Sequence, residues 1–129
     1  MSGGVVTRSV LIPAGPEEVW EALVDPARLE DWFADGVEGG ELVPGGEVVF
    51  RWDGGCERIA VVEEADEPRR LVFRWAEAGG EESQVCFELV EEAPGTRVTV
   101  VESGLAGRSA SGWKSGLGRL AMTACLAAA

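Results

Sequence analysis

GWKSGLGRLAMTACLAAA, from Gly112 to Ala129, sets Trp113, Leu117, Leu120 and Ala124 at i, i+4, i+7 and i+11. That spacing draws one stripe along a helix of 3.6 residues per turn. Ser111 is placed to cap its start. Gly116 and Gly118 each cost about 1 kcal/mol relative to alanine in a helix interior, but they also let a sheet backbone approach closely. An apolar stripe needs a surface to cover. The one stretch that supplies it is the run of alternating strands in the middle of the sequence, so the expectation is a long terminal helix with a sheet curled around it. Met122 and Leu126 lie off the stripe. They either fill core at the chain end or meet a partner chain, and the second reading implies a weak homodimer.

Upstream, the chain reads as follows. Val5 to Ile12 is rich in β-branched residues and forms a first strand. Gly15-Pro16 opens a short helix, with Glu17 and Glu18 at its positive end. Asp25-Pro26 repeats the device, Asp as cap and Pro as first residue. Two short helices with the apolar sides Val19-Trp20-Leu23 and Leu29-Trp32-Phe33 therefore follow the strand. After Gly36 and Gly39-Gly40 the period changes to two. Val48, Phe50 and Trp52 share one side; so do Leu71, Phe73 and Trp75; so do Val85, Phe87 and Leu89; so do Val98 and Val100. Asp53-Gly54-Gly55, Ala78 to Glu81 and Pro94-Gly95 are turns. Glu57 to Glu64 is a further strand. Hairpin-length turns make the meander antiparallel. The fold class is α+β, with about six strands gripping the terminal helix and two short helices after the first strand.

At 129 residues the chain reads as one domain, residues 1–129. A net charge of −12 repels nucleic acid, anionic membrane surfaces and acidic substrates. There is no histidine, which removes a histidine-based triad and the commonest metal ligand. Cys56, Cys86 and Cys125 form no C-x-x-C pair and have no evident basic partner, so neither zinc, disulfides nor an activated thiolate is expected. No phosphate loop or dinucleotide fingerprint is present, and no cofactor is expected. Without a leader-like start or an apolar run of roughly 18 residues, the expected location is the cytoplasm.

Three stretches carry a family likeness: IPAGPEEVWEALVDPARLEDWF (Ile12 to Phe33), GGEVVFRW (Gly45 to Trp52) with EPRRLVFRW (Glu67 to Trp75), and GTRVTVVESG (Gly95 to Gly104) followed by Gly112-Trp113. In order and spacing they resemble the bacterial homologues of the activator of heat-shock protein 90 ATPase, a branch of the START-like (SRPBCC) helix-grip superfamily. The resemblance implies the helix-grip fold, a bacterial source and a link to stress response. The asparagine-rich N-x-N-N-W-H-W motif and a separate N-terminal docking domain are not found in these residues, which puts direct chaperone contact in doubt. The resemblance also implies a pocket where the sheet meets the terminal helix.

The residues expected to line such a pocket are Trp32, Phe50, Trp52, Phe73, Trp75, Trp113, Leu117 and Leu120. Nine large aromatics and no tyrosine make an apolar lining with few polar groups, the usual form of a small-molecule site. Two charges fall on the inward parity: Glu102 continues Val98 and Val100, and Arg58 aligns with Ala60 and Val62. Either they sit at a bulge or an open strand end, or they line the cavity and orient a polar ligand group. The favoured reading is non-enzymatic binding of a hydrophobic small molecule. The alternatives are a cyclase- or hydrolase-type enzyme with Glu102 as base beside Arg58, and an interaction module linked to a chaperone or a transcription regulator.

Overall fold

Alternation of apolar and polar residues decides the sheet. The computed structural model describes residues 5–53, 55–77 and 80–104. The expected terminal helix, with Trp113, Leu117, Leu120, Met122, Cys125 and Leu126, lies outside the described residues. The elements are β1 (Val5–Ile12), α1 (Pro16–Val24), α2 (Pro26–Trp32), β2 (Gly36–Glu38), β3 (Glu47–Trp52), β4 (Cys56–Asp66), β5 (Arg70–Ala76), β6 (Ser83–Glu92) and β7 (Gly95–Ser103). They form one seven-stranded sheet in the order β1-β7-β6-β5-β4-β3-β2, antiparallel throughout.

The expectation of about six strands is corrected to seven. The extra strand, β2, has three residues, too few for a period-two signal to emerge. Its pairing comes from β3, with Val37 opposite Phe50. The strand expected over Glu57 to Glu64 runs from Cys56 to Asp66, with a register shift between Val62 and Glu64. That bulge is why its facing is hard to read from the alternation alone.

The two helices form as their prolines and carboxylates require. Pro16 starts α1 after Gly15, and Pro26 starts α2 after Asp25. The Asp25 Oδ1 accepts from the Ala27 N–H at 3.0 Å, which satisfies one of the orphan donors of the first turn. The helix pair carries the chain from β1 to β2, from one edge of the sheet to the other. On the way α1 packs against β6 and β7, burying Val19, Trp20, Ala22 and Leu23. Gly95 opens β7 where a Cβ would collide with the carbonyl of Ile12, so only glycine lets β1 and β7 close here. Beside it, the buried Thr96 Oγ1 donates to the Ala14 carbonyl at 2.8 Å.

Inward positions repeat from strand to strand. Thr96, Val98, Val100 and Glu102 of β7 are all buried. So are Ser83, Val85, Phe87 and Leu89 of β6, Leu71, Phe73 and Trp75 of β5, and Val48 and Phe50 of β3. This face and the two helices enclose one core.

Candidate functional site

Register gathers the aromatic residues of three strands. Phe50 lies opposite Arg58, Trp52 opposite Cys56, Ala60 opposite Trp75, and Trp75 opposite Ser83. Phe50, Trp52, Phe73 and Trp75 therefore share one side of β3 and β5, with the small Ala60 of β4 between them. Their rings touch: Phe50 and Trp75 meet edge to face at 6.0 Å, Trp52 and Trp75 at 6.0 Å, and Phe73 and Trp75 at 5.3 Å. Phe33, from the end of α2, enters this group. It stacks on Trp75 at 5.6 Å with an interplanar angle of 12°, and meets Phe50 edge-on at 5.0 Å. Trp32 and Phe87 extend the layer at 6.4 Å. Edge-to-face and offset contacts of this kind are the favoured geometries of aromatic pairs.

The tryptophan N–H groups are held by the fold. Trp32 Nε1 donates to the Ala22 carbonyl at 2.8 Å and Trp52 Nε1 to the Phe33 carbonyl at 2.8 Å. Trp75 Nε1 divides its donation between Ser83 Oγ, at 3.1 Å, and Glu102 Oε2, at 2.9 Å. Each ring plane is thereby fixed from its polar edge.

Glu102 is 1 % exposed. Its Oε2 accepts from Ser83 Oγ at 2.6 Å as well as from Trp75. A guanidinium nitrogen of Arg58 lies 3.8 Å away, and the Arg58 side chain is 23 % exposed. The Arg58 guanidinium carbon also sits 4.6 Å from the centre of the Trp75 ring, a cation–π distance. A buried carboxylate is tolerated only where hydrogen bonds and an opposite charge repay its lost hydration, and Glu102 has both. The structure thus buries Glu102 and leaves Arg58 half-buried.

Among the described residues this ring layer encloses little free volume. A cavity of about 10 Å³ lies between Leu23, Trp32, Phe33, Phe50, Phe73 and Phe87, room for one water at most. The two described cysteines, Cys56 and Cys86, show no activation. Burial pushes the Cys56 thiol up, helped by the Glu77 carboxylate 3.4 Å from its sulfur. Burial likewise raises Cys86. Among the described residues no three His, Cys, Asp or Glu side chains group to hold a metal ion, and no helix is long and apolar enough to cross a membrane.

Of the site residues expected from sequence, the structure brings together Trp32, Phe50, Trp52, Arg58, Phe73, Trp75 and Glu102. Trp113, Leu117 and Leu120 lie outside the described residues. Sequence reasoning missed Ser83, Phe33 and Phe87 as members. Ser83 was open to detection, since it stands two residues before Val85 on the inward parity of β6. Phe33 carried no such signal, because it ends a helix and its ring is aimed by the chain's exit from α2.

One antiparallel sheet, two short helices after its first strand and an aromatic inner face define an α+β fold class shared with many solved proteins. The chain belongs to the family of activator of Hsp90 ATPase homolog 1-like proteins, whose model matches residues 13–124. Among solved structures, DynU16, a protein of the dynemicin biosynthetic locus, is 32% identical with a TM-score of 0.82, over 92% of this chain and 46% of its own. This chain thus spans about half the length of DynU16. CalU16 from Micromonospora echinospora is 27% identical with a TM-score of 0.71, over 93% of this chain and 74% of its own. The Aha1 dimer from Colwellia psychrerythraea, 20% identical, matches in fold with a TM-score of 0.80, over 91% and 92% of the two chains. No curated protein matches the chain.

Proposed function

We propose that this domain binds a hydrophobic small molecule without transforming it, between the aromatic inner face of the sheet and the helix expected over Gly112 to Ala129. The observation that carries the reading is the layer of Phe33, Phe50, Trp52, Phe73 and Trp75 in mutual contact, with the Arg58–Glu102 pair at its margin. Because these rings fill the space among themselves, the ligand lies on the layer rather than within it. Trp52 and Arg58, both partly exposed, face it. Likeness to a protein of a biosynthetic locus is in keeping with a small-molecule partner.

Glu102 anchors the site in this reading and does not serve as its base. The oxygen nearest Arg58 already accepts from Trp75 and Ser83. Weak self-association through Met122 and Leu126 accompanies the binding role; sedimentation of wild type and Leu126→Glu at high concentration tests it, and a strict monomer in both would remove it.

The test of binding is a tryptophan-fluorescence titration with hydrophobic aromatics and acyl chains, repeated on Trp75→Leu. A saturable change that weakens in the variant supports the site. No response to any probe rejects it. Turnover that is lost in a Glu102→Gln variant still able to bind would establish an enzyme instead.

A further inference from the structure

We propose that a cleft outside the aromatic layer is a second binding site, and that it takes a small organic polycation bearing hydroxyl oxygens, of the amino-sugar class. One wall of the cleft is a face of α1. Glu17, Trp20, Glu21 and Val24 lie at i, i+3, i+4 and i+7 and so share one side of that helix. The opposite wall is the chain between β2 and β3, from Glu41 to Pro44, with Glu67 beyond the end of β4. This wall is tied down at both ends. The Leu42 N–H donates to the Val24 carbonyl at 3.2 Å, and the Gly45 N–H donates to the Val62 carbonyl at 2.8 Å. The cleft holds about 450 Å³, a volume usual for small-molecule sites.

Two independent observations fix the class of ligand. The first is unbalanced charge. Arg28 bridges Glu21 at 3.0 Å, but Glu17, Asp25, Glu41 and Glu67 have no ion pair among the described residues. No described arginine or lysine lines the cleft. The second is an unused donor. Trp20 is 5 % exposed, and its Nε1 donates no hydrogen bond, unlike those of Trp32, Trp52 and Trp75. Among the described residues no buried side-chain nitrogen lacks a partner. The Trp20 N–H therefore stands on the small part of the residue that reaches the surface, and Trp20 meets open space in the wall of the cleft. Carboxylates call for ammonium groups, and an indole N–H calls for an acceptor oxygen. An acidic ligand is repelled here, and a neutral sugar leaves the charge unanswered. An amine with hydroxyls beside it meets both demands, while Val24 and Val43 take its carbon frame.

The experiment is a calorimetric titration at one moderate salt concentration with three probes. Neamine carries amines and hydroxyls, spermine as many amines and no oxygen, and trehalose hydroxyls and no amine. On wild-type protein neamine binds about tenfold more tightly than spermine, the size of one good hydrogen bond, and trehalose does not bind. The double variant Glu17→Gln/Glu41→Gln weakens neamine by about tenfold or more. Asp31→Asn/Glu91→Gln removes the same charge from exposed positions outside the cleft. It changes neamine affinity by less than about twofold, because distant charges are screened. Trp20→Phe keeps a buried ring, loses the N–H, and brings neamine to within about twofold of spermine. Circular dichroism verifies that each variant is folded, and if Trp20→Phe is not, the wild-type ranking and the charge variants decide. Absence of neamine binding, spermine binding as tightly as neamine, or a ranking unchanged in folded Trp20→Phe overturns the proposal. Equal losses in the two double variants also overturn it, since they mark a diffuse attraction to an acidic protein. None of these outcomes bears on the reading of the aromatic layer, whose own titration stands apart.

Discussion

The two faces of the sheet use the same charged residues to opposite effect. On the outer face, arginines bridge neighbouring strands: Arg51 to Glu38 and Glu57, Arg70 to Glu64 and Glu88, Arg74 to Glu63, at 2.7–3.3 Å. On the inner face, among the described residues, Arg58 approaches Glu102 at 3.8 Å. The shorter contacts matter less. Both partners of the outer pairs stand largely in water, where the attraction is screened and two long side chains must be held still. The inner carboxylate has lost its hydration, so its partners are required for it to be there at all. The contrast shows that exposure, rather than distance, ranks the ion pairs of this protein. The outer face still has a local interior. Val72 is buried there, although its parity points outward, between Arg70 and Arg74 whose ion pairs span the adjacent strands. The aliphatic stems of such side chains cover apolar surface while their heads stay wet.

The comparison can be broken at several points. Phe50→Ala removes a ring that is fully buried at the centre of the inner layer. It should cost about 3–5 kcal/mol in urea unfolding, a large share of the ~5–15 kcal/mol that holds a domain together. A loss below about 1 kcal/mol would mean the ring layer is not the core. Glu102→Val should cost less, about 1–3 kcal/mol, since Trp75 keeps Ser83 as acceptor but Arg58 loses its counter-charge. Combining it with Arg58→Met should recover part of that loss; a double variant less stable than Glu102→Val alone would show that the pair is not coupled in this way. On the outer face, Arg74→Ala should stay within about 0.5 kcal/mol of wild type. An effect there as large as that of Glu102→Val would abolish the ranking by exposure.

The smallest effect is one of pH. Hydrogen bonds from Arg51 and Arg97 hold the Glu38 and Glu92 carboxyls below the ordinary carboxylate range. Their folded-state values are depressed, so the unfolded chain binds protons first as pH falls. Their contribution is present above the unfolded value and is lost as pH drops through the folded one. Melting temperature should therefore decline slightly below the ordinary carboxylate range, and less so at high salt, where these exposed pairs are screened. A salt-independent decline would show that these exposed pairs are not its source.

Much of the fold was legible because it is written in local chemistry. Val5–Ile12 emerged with the expected bounds, since Pro13 ends a β-branched run. Asp25-Pro26 marked the helix junction because a side-chain cap and a fixed φ act within three residues. The inward parity of Glu102 could be read from Val98 and Val100 because the period of a strand is two. What resisted was non-local. β2 is a strand only because β3 offers hydrogen bonds to it, and three residues carry no period of their own. Phe33 joins the rings because α2 ends where it does, and Ser83 meets Glu102 because β6 and β7 pair in one register.

The sequence by itself determined β1, the two short helices and the longer strands of the antiparallel meander, with the inward residues of β3, β5, β6 and β7, because propensity, capping and alternation depend on near neighbours. Only the tertiary structure decided that the inward rings touch, that Glu102 accepts from Trp75 and Ser83, and that Arg58 stands 3.8 Å from it. Those outcomes depend on strand register and on distances between side chains remote in the chain. A one-residue slip would reverse every facing, and a shift of an ångström separates a hydrogen bond from a mere attraction.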